Sequence, residues 1–411
     1  MSRPSDAIVT RPRLALASTL AVQAMATLSM TAPAVMAPAV APLLGVPPHR
    51  VGWFVGLAYF VAMFSGLAGG ARVARIGAIR ISRLALLACA AGLALGAAAA
   101  SSSAALPLLA LSAVVLGIGY GVPNPAASMV LAVHAPPTRR GLFFSIKQSG
   151  VPIGVGLAGL VVPPLLGAMP WTWALLVLAA ACLALAAALQ GSMALDMRAP
   201  PDGPAPASLV DSLRGLADPL RRVWRQPALR RLGVASLAFS FTQLCFTTFL
   251  VSYLKLELGY GLAAAAAVLS VAQVLSVASR VLWGMVADRW ASPLRLLAGL
   301  GLAMAGAALA LGALPADAPR WAPMVAALAC AATAMAWNGV FFAALAHEVR
   351  AEELGSVTGG TQFLTFFGSM AGPLAFATLV GATGSHGATY VVLAALPALV
   401  GAWLWLASRE D

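Results

Sequence analysis

The chain has 411 residues, of which 61% are hydrophobic and 9% are charged, and its formal net charge is +12. A soluble globular protein carries about 25% charged residues, so this composition excludes an ordinary soluble domain. Its apolar surface must face lipid or neighbouring membrane helices. A helix needs about 20 residues to cross the ~30 Å hydrocarbon core. The apolar runs are too long for barrel strands and do not alternate in polarity.

Twelve apolar runs follow one another along the chain, six before a polar stretch and six after it. They cover roughly 14–40, 51–71, 83–101, 106–132, 141–166, 171–192, 230–256, 262–287, 293–314, 321–346, 355–379 and 386–407. The sequence therefore predicts an all-α integral membrane protein with twelve transmembrane helices. It predicts an N-terminal half at 1–193, a linker at 194–229 and a C-terminal half at 230–411.

The linker contains a pattern that is typical of a surface helix. Ser208 is expected to cap a short amphipathic helix whose apolar residues recur every three or four positions. These residues are Leu209, Leu213, Leu216, Leu220 and Val223. Arginines on the other face would contact lipid head groups. A site for a partner protein is the alternative interpretation.

Basic residues are distributed unevenly among the loops. Of the 25 Lys and Arg, three lie on the loops that follow odd-numbered spans and two lie within spans, which leaves 20 at the termini and on the other loops. Cytoplasmic loops carry this excess, so we expect a bacterial inner-membrane protein with both termini and the linker in the cytoplasm. The net charge then reflects contact with anionic lipid and not with nucleic acid. A cleaved signal peptide is disfavoured because the first run is too long.

The sequence repeats itself with an offset of 214 residues. Residues that match at this offset include Gly70 and Gly284, Arg75 and Arg289, Asn124 and Asn338, and Gln148 and Gln362. Parallel repeats of this kind are typical of secondary transporters, in which a solute site lies between two halves that move against each other. The repeat therefore favours a transport function.

Polar side chains form stripes on most spans, whereas the third, sixth, ninth and twelfth spans are almost free of them. Spacing by three and four residues places each stripe on one helix face, and groups that form hydrogen bonds avoid lipid. We therefore expect a shared polar cavity, although hydrogen bonds between helices would account for any single Ser or Thr. The candidate solute-binding residues are Gln23, Tyr59, Asn124, Gln148, Gln243, Gln273, Ser276, Asn338 and Gln362.

Two basic residues lie inside predicted spans. Lys147 follows Arg140 by seven residues, and Arg280 precedes Asp288 by eight residues, which places Arg280 about 12 Å along a helix from that carboxylate. Ionisable residues within the membrane are costly and usually functional. The alternative is that the long side chains extend to the membrane surface, and for Lys147 the two interpretations stay open. Arg280 shares a helix face with Gln273 and Ser276.

The segment after the eighth span carries a recognisable signature. It reads Gly284-Met-Val-Ala-Asp288-Arg289, followed by Arg295, and the first copy has Gly70 and Arg75 at the matching positions. With its span count and duplication, the chain resembles the major facilitator superfamily. This resemblance implies that the signature residues form a cytoplasmic charge latch between the halves. Ala74 occupies the Asp position in the first copy, which puts the latch of that half in doubt.

The spacing of Arg280, Gly284 and Asp288 is similar to that in carboxylate-transporting members of this superfamily, in which the Arg binds the carboxylate. The planar guanidinium suits a carboxylate, and no Asp or Glu lies deep in any span. An organic anion is therefore the favoured solute, with Arg280 and Lys147 as its contacts. An exporter of drugs or toxic compounds and a membrane sensor that moves nothing stay open.

Enzymatic activity is not indicated by any motif. The histidines are not at metal-ligand spacing, and no phosphate-binding loop is present. Four cysteines lie within spans without paired spacing, which indicates packing residues. We expect a monomer in the lipid bilayer that uses no metal or other cofactor.

Overall fold

The computed structural model describes residues 11–101, 105–136, 139–196, 218–289, 292–315, 317–349 and 351–409. Helices dominate these ranges, in which no strand occurs. They are α1 (Pro12–Val40), α2 (Val51–Ile76), α3 (Ala78–Ala98), α4 (Ala105–Gly121 and Pro123–His134), α5 (Arg140–Gln148 and Gly150–Ala168), α6 (Trp171–Ala188), α7 (Pro227–Leu256), α8 (Leu262–Arg289), α9 (Pro293–Gly312), α10 (Trp321–Ala334 and Trp337–Glu348), α11 (Ala351–Thr383) and α12 (His386–Leu393 and Ala395–Ala407).

The predicted fold class is confirmed. Eleven helical segments among the described residues are long and apolar enough to cross a membrane. The remaining helix, α2, is 26 residues long and lies at the position of the second predicted span. Several of its side chains, from position 67 to position 75, lie outside the described residues.

The duplication is visible as a matched pair of helix breaks. In the first copy α4 is interrupted at Val122, just before Pro123, where proline disfavours a helical conformation in the preceding residue. In the second copy α10 is interrupted at Met335 and Ala336. Val122 and Ala336 are separated by the same 214 residues as the sequence repeat. Both breaks therefore fall at equivalent points of the two halves.

The two halves meet mainly along two pairs of helices, α2 with α11 and α5 with α8, and α1 also contacts α7. α3 packs on α4 and α6, and α9 packs on α12 and α10. The spans that are poor in polar residues thus lie away from the α2–α11 and α5–α8 contacts. We call the side of the bundle that holds both chain ends the termini side and the opposite side the far side.

On the termini side, Asp196 supports the start of α3. Its carboxylate accepts hydrogen bonds from the backbone N–H groups of Ile79 at 2.6 Å and Arg80 at 3.2 Å. These groups have no partner within the helix, and an anion there is favoured by the helix dipole. The carboxylate lies beside Gly77, whose φ of 97° suits glycine.

Part of the predicted linker helix lies outside the described residues. Residues 197–217, which include Ser208 and Leu209, are in this group, whereas 218–225 are helical. Val223 is fully buried and would contact a Cβ at Gly233 of α7. The described end of the linker therefore packs on the C-terminal half.

The signature residues are described only in part. The helix α8 includes Gly284, Asp288 and Arg289, but the side chains of Asp288 and Arg289, the side chain of Arg75 and the surroundings of Gly70 lie outside the described residues. The charge latch therefore stays a prediction.

Candidate functional site

Lys147 is buried in the N-terminal half, where α5 faces α4. Only 3% of its surface is exposed, and it lies at the end of the first segment of α5. Its Nζ donates hydrogen bonds to Asn124 Oδ1 and, at 3.2 Å, to Gln148 Oε1. The side chain is therefore packed inside the protein, and its role in solute binding stays a prediction.

Arg280 approaches the same place from the C-terminal half. Its Nε donates to the Met335 carbonyl oxygen at 2.8 Å, at the break in α10. A terminal guanidinium nitrogen donates to the Gln148 carbonyl oxygen at 3.5 Å. Both intramembrane cations therefore contact Gln148, Lys147 through the Gln148 side chain and Arg280 through its backbone carbonyl.

These two cations have no carboxylate partner in the described part of the chain. There, the ion pairs are Arg221 with Asp218 and His386 with Glu257, and both lie at helix ends. Amide and carbonyl oxygens solvate the two cations but carry no full charge. Burying charge without an opposite charge is costly.

A small cavity lies one to two helical turns from Lys147, towards the far side. It has a volume of about 30 Å³, which is enough for about two water molecules. Both halves contribute to its wall, through Thr27, Met30, Thr31, Ala34, Val55, Tyr59, Val151, Val155, Gln243, Leu244, Thr247, Thr248 and Met335. No organic solute fits in this volume.

Several buried polar atoms beside the cations have no hydrogen-bond partner among the described residues. They are Oε1 of Gln23, Oε1 of Gln273 and Oγ of Ser276. Gln273 Nε2 donates to the Met335 sulfur at 3.1 Å, and Gln23 Nε2 donates to Thr27 Oγ1 at 3.4 Å. Such unsatisfied groups are rare in folded proteins, and a bound water or ion or a functional role accounts for them. These three atoms can therefore take part in further hydrogen bonds.

The other predicted site residues divide into two groups. Tyr59 and Gln243 line the small cavity. The Gln243 Oε1 also accepts a hydrogen bond from the Trp337 indole at 3.0 Å. Asn338 and Gln362 are half-buried on α10 and α11, and within the described residues they form no hydrogen bond to the cation cluster. The repeat thus places Asn124 and Gln148, but not their counterparts, next to Lys147.

Met335 and Tyr120 complete the centre and were not among the predicted site residues. Met335 binds Arg280 through its carbonyl and Gln273 through its sulfur, and it also lines the cavity. The Tyr120 hydroxyl accepts a hydrogen bond from Tyr59 at 3.4 Å and interacts electrostatically with Arg280. A polar stripe in the sequence includes Tyr120, whereas no sequence signal marks the backbone carbonyl of a methionine.

A second polar cluster lies on the far side and was missed by the sequence analysis. The Glu257 carboxylate accepts hydrogen bonds from Nδ1 of His386 at 2.7 Å, from the His386 and Gly387 backbone N–H groups and from the Ser385 hydroxyl. These groups form the start of α12. Burial raises the pKa of this carboxyl, but the hydrogen bonds outweigh burial and lower the pKa to about 2.

His49 brings the N-terminal half close to this cluster. It lies in the short 3-10 turn Pro48–Arg50, and its Nε2 would be 3.3 Å from a Cβ at Gly381 of α11. Burial lowers the pKa of His49 below its ordinary value, and the neighbouring His386 and Arg50 lower it further. Protonation of His49 therefore opposes the contact between the halves on this side.

We expect acidification to loosen the far side. A lowered pKa means that the open or unfolded form binds more protons, so the closed contact is fully stable above about pH 6.5 and weakens as the pH falls below that value. Distances between spin labels on the two halves, compared at about pH 8 and about pH 5.5, should show a larger open population at the lower pH. His49→Gln should remove this dependence, and an equal pH response in that variant would contradict the assignment to His49.

The fold and the site together define a class of protein: a multi-pass membrane protein with two six-helix halves and a polar centre between them. The profile of the Major Facilitator Superfamily matches residues 19–373. The chain belongs to this superfamily, which confirms the resemblance drawn from the signature and the duplication.

Two relatives by sequence are uncharacterized MFS-type transporters of Mycobacterium tuberculosis. One, from strain CDC 1551 / Oshkosh, is 26% identical over 292 residues, which cover 70% of this chain and 63% of the relative. The other, from strain ATCC 25618 / H37Rv, is 28% identical over 218 residues, which cover 52% of this chain and 46% of the relative. The chain thus spans less than two thirds of the length of either relative.

Solved structures share the fold at low sequence identity. A bacterial homolog of the human lysosomal transporter Spinster, in an inward-facing and unoccupied conformation, has a TM-score of 0.75 at 16% identity and covers 98% of both chains. A D-xylose–proton symporter has a TM-score of 0.70 at 17% identity and covers 96% of both chains. These similarities establish the architecture and leave the solute undefined.

Proposed function

We propose that this protein is a secondary or facilitative transporter that moves a small organic anion, such as a carboxylate, by alternating access between its two halves. The observation that carries the proposal is the convergence of Lys147 and Arg280 on Gln148, without a carboxylate partner among the described residues. One cation comes from each half, so a bound anion would contact both halves at once.

The arrangement favours a carboxylate over a cation or a sugar. An organic cation would find two like charges at the centre, and like charges in close contact disfavour binding. A neutral polyol would satisfy the free amide oxygens but would leave both cations without a counter-charge. Guanidinium and ammonium groups bind carboxylate through charge-assisted hydrogen bonds, and the guanidinium matches its planar shape.

The proposal is tested by ligand stabilisation. The purified protein is heated in the presence of a panel of organic acids, matched neutral alcohols and organic cations, since a ligand that binds the folded state raises the melting temperature by mass action. We expect stabilisation by one or more acids and none by the matched neutral compounds. Stabilisation confined to amphiphilic cations would favour the alternative of an exporter of toxic compounds.

The orientation is proposed from the distribution of basic residues, with both termini in the cytoplasm. We expect a single cysteine at Asp317, exposed on the far side, to react with an impermeant maleimide added to intact cells. A cysteine at Arg409, exposed on the termini side, should react only after permeabilisation. The background lacks the four buried native cysteines. Labelling of position 409 in intact cells would reverse the proposed orientation.

A further inference from the structure

A large apolar cleft lies apart from the cation cluster, on the far side of the N-terminal half. Its volume is about 540 Å³. Helices α1, α2, α3, α4 and α6 form its walls, and Met370 and Leu374 of α11 close one edge. The cleft therefore touches both halves, although most of it belongs to the first.

Several large apolar side chains of the cleft are exposed at the protein surface. Among its lining residues, Trp53 is 56% exposed, Phe60 is 45% exposed and Leu106 is 55% exposed. These large apolar side chains would be unfavourable in water. In a membrane they present a hydrocarbon surface that an acyl chain can fill.

One charged residue lies at the mouth of the cleft. Arg50 precedes α2, is exposed and is the only charged residue that lines the cleft in the described part of the chain. Its side chain forms no hydrogen bond or ion pair there; its one described interaction is electrostatic, with His49. Along α2, Arg50 and Phe60 are ten residues apart, or about 15 Å, which is about half of the ~30 Å hydrocarbon core.

We propose that the cleft binds one anionic phospholipid of the far-side leaflet, with its phosphate at Arg50 and one acyl chain in the cleft. The depth matches a single leaflet, and the charge at the mouth matches an anionic head group. Because the wall includes Met370 and Leu374 of the opposite half, the bound chain stabilises the state in which α2 and α11 are in contact. The proposed lipid site is formed by this cleft and does not depend on the identity of the transported solute.

The test is native mass spectrometry of the purified protein, titrated with phosphatidylglycerol or with phosphatidylcholine that carries the same acyl chains. We expect one phosphatidylglycerol to be retained in preference to phosphatidylcholine. Arg50→Gln should reduce this preference about tenfold, because a hydrogen bond to a charged group is lost. Arg320→Gln, which removes another exposed far-side arginine, should leave it unchanged. Equal retention of the two lipids by the wild-type protein would overturn the proposal.

The acyl part of the site is tested separately. Ala110 lines the cleft and is exposed, so Ala110→Trp should fill the space and abolish retention of the lipid. Leu109→Trp provides a second variant if the first does not fold. Undiminished retention by a folded variant would contradict binding in the cleft, as would displacement of the lipid by soluble glycerol phosphate.

Discussion

Replacement of Arg280 by Gln should weaken binding of the anionic solute by more than tenfold. The guanidinium is held by the Met335 and Gln148 carbonyl oxygens, so its position is fixed before the solute arrives. Loss of one partner from a buried charge pair costs about 2–5 kcal/mol. Arg280→Lys should also bind poorly, because lysine keeps the charge and loses the planar arrangement of donors. Affinity is measured by calorimetry, and transport by counterflow in proteoliposomes.

Controls separate loss of binding from loss of structure. Arg83→Gln makes the same chemical change on α3, where the guanidinium Nε donates to the Ala186 carbonyl oxygen at 2.8 Å, and should leave solute affinity unchanged. Gln273→Ala removes one neutral hydrogen-bonding group and should cost only about 0.5–1.5 kcal/mol. The melting temperature of each ligand-free variant is compared with that of the wild-type protein, which shows whether the fold is intact. Wild-type affinity in Arg280→Gln would exclude the anion site and favour a neutral solute.

The architecture could be predicted from the sequence because lipid imposes simple rules. Every backbone polar group must be satisfied within the membrane, so long apolar runs have to become helices. The 214-residue repeat then divides these helices into two halves. The paired breaks at Val122 and Ala336 confirm that the repeat includes the positions at which helices are interrupted. Of the two breaks, only the first is marked by a proline.

The candidate site was predictable only in part. A buried cation is conspicuous in an apolar sequence, so Lys147 and Arg280 could be selected without a structure. Their hydrogen-bond partners were harder to predict, because the Met335 and Gln148 carbonyl oxygens belong to the backbone. The repeat also suggests equal roles for matched residues. The structure places Asn124 beside Lys147, whereas Asn338 has no lysine at the equivalent place, since position 361 is a threonine.

The far-side cluster could not be found from sequence spacing at all. Glu257 and His386 are 129 residues apart and lie at the ends of helices that the fold brings together. Each residue looks like an ordinary loop residue when its neighbours in the chain are considered. The pairing arises because α7 ends and α12 begins at the same level of the bundle. His49 lies near Glu257 and His386 only because the two halves are in contact on this side.

Closure of the far side should depend on Gly52, and Gly52→Ala should hold this side open. A Cβ at Gly52 would overlap the Pro373 carbonyl oxygen of α11 and would lie 2.8 Å from both Ala377 Cβ and a ring carbon of Phe249. Small residues allow membrane helices to approach closely, and a backbone carbonyl cannot move aside by a rotamer change. α2 and α11 must therefore separate, and we expect transport to fall more than tenfold while solute binding persists.

The measurement is the distance between spin labels at Leu43 and Asp317, both exposed on the far side of opposite halves. Gly52→Ala should lengthen this distance. Gly56→Ala should have a smaller effect, because the nearest atoms to a Cβ there belong to the Leu374 side chain, which can change rotamer. Gly167→Ala is the matched control, since no atom lies within 4 Å of a Cβ at that position. An unchanged distance in Gly52→Ala would show that contact between α2 and α11 does not control access from the far side.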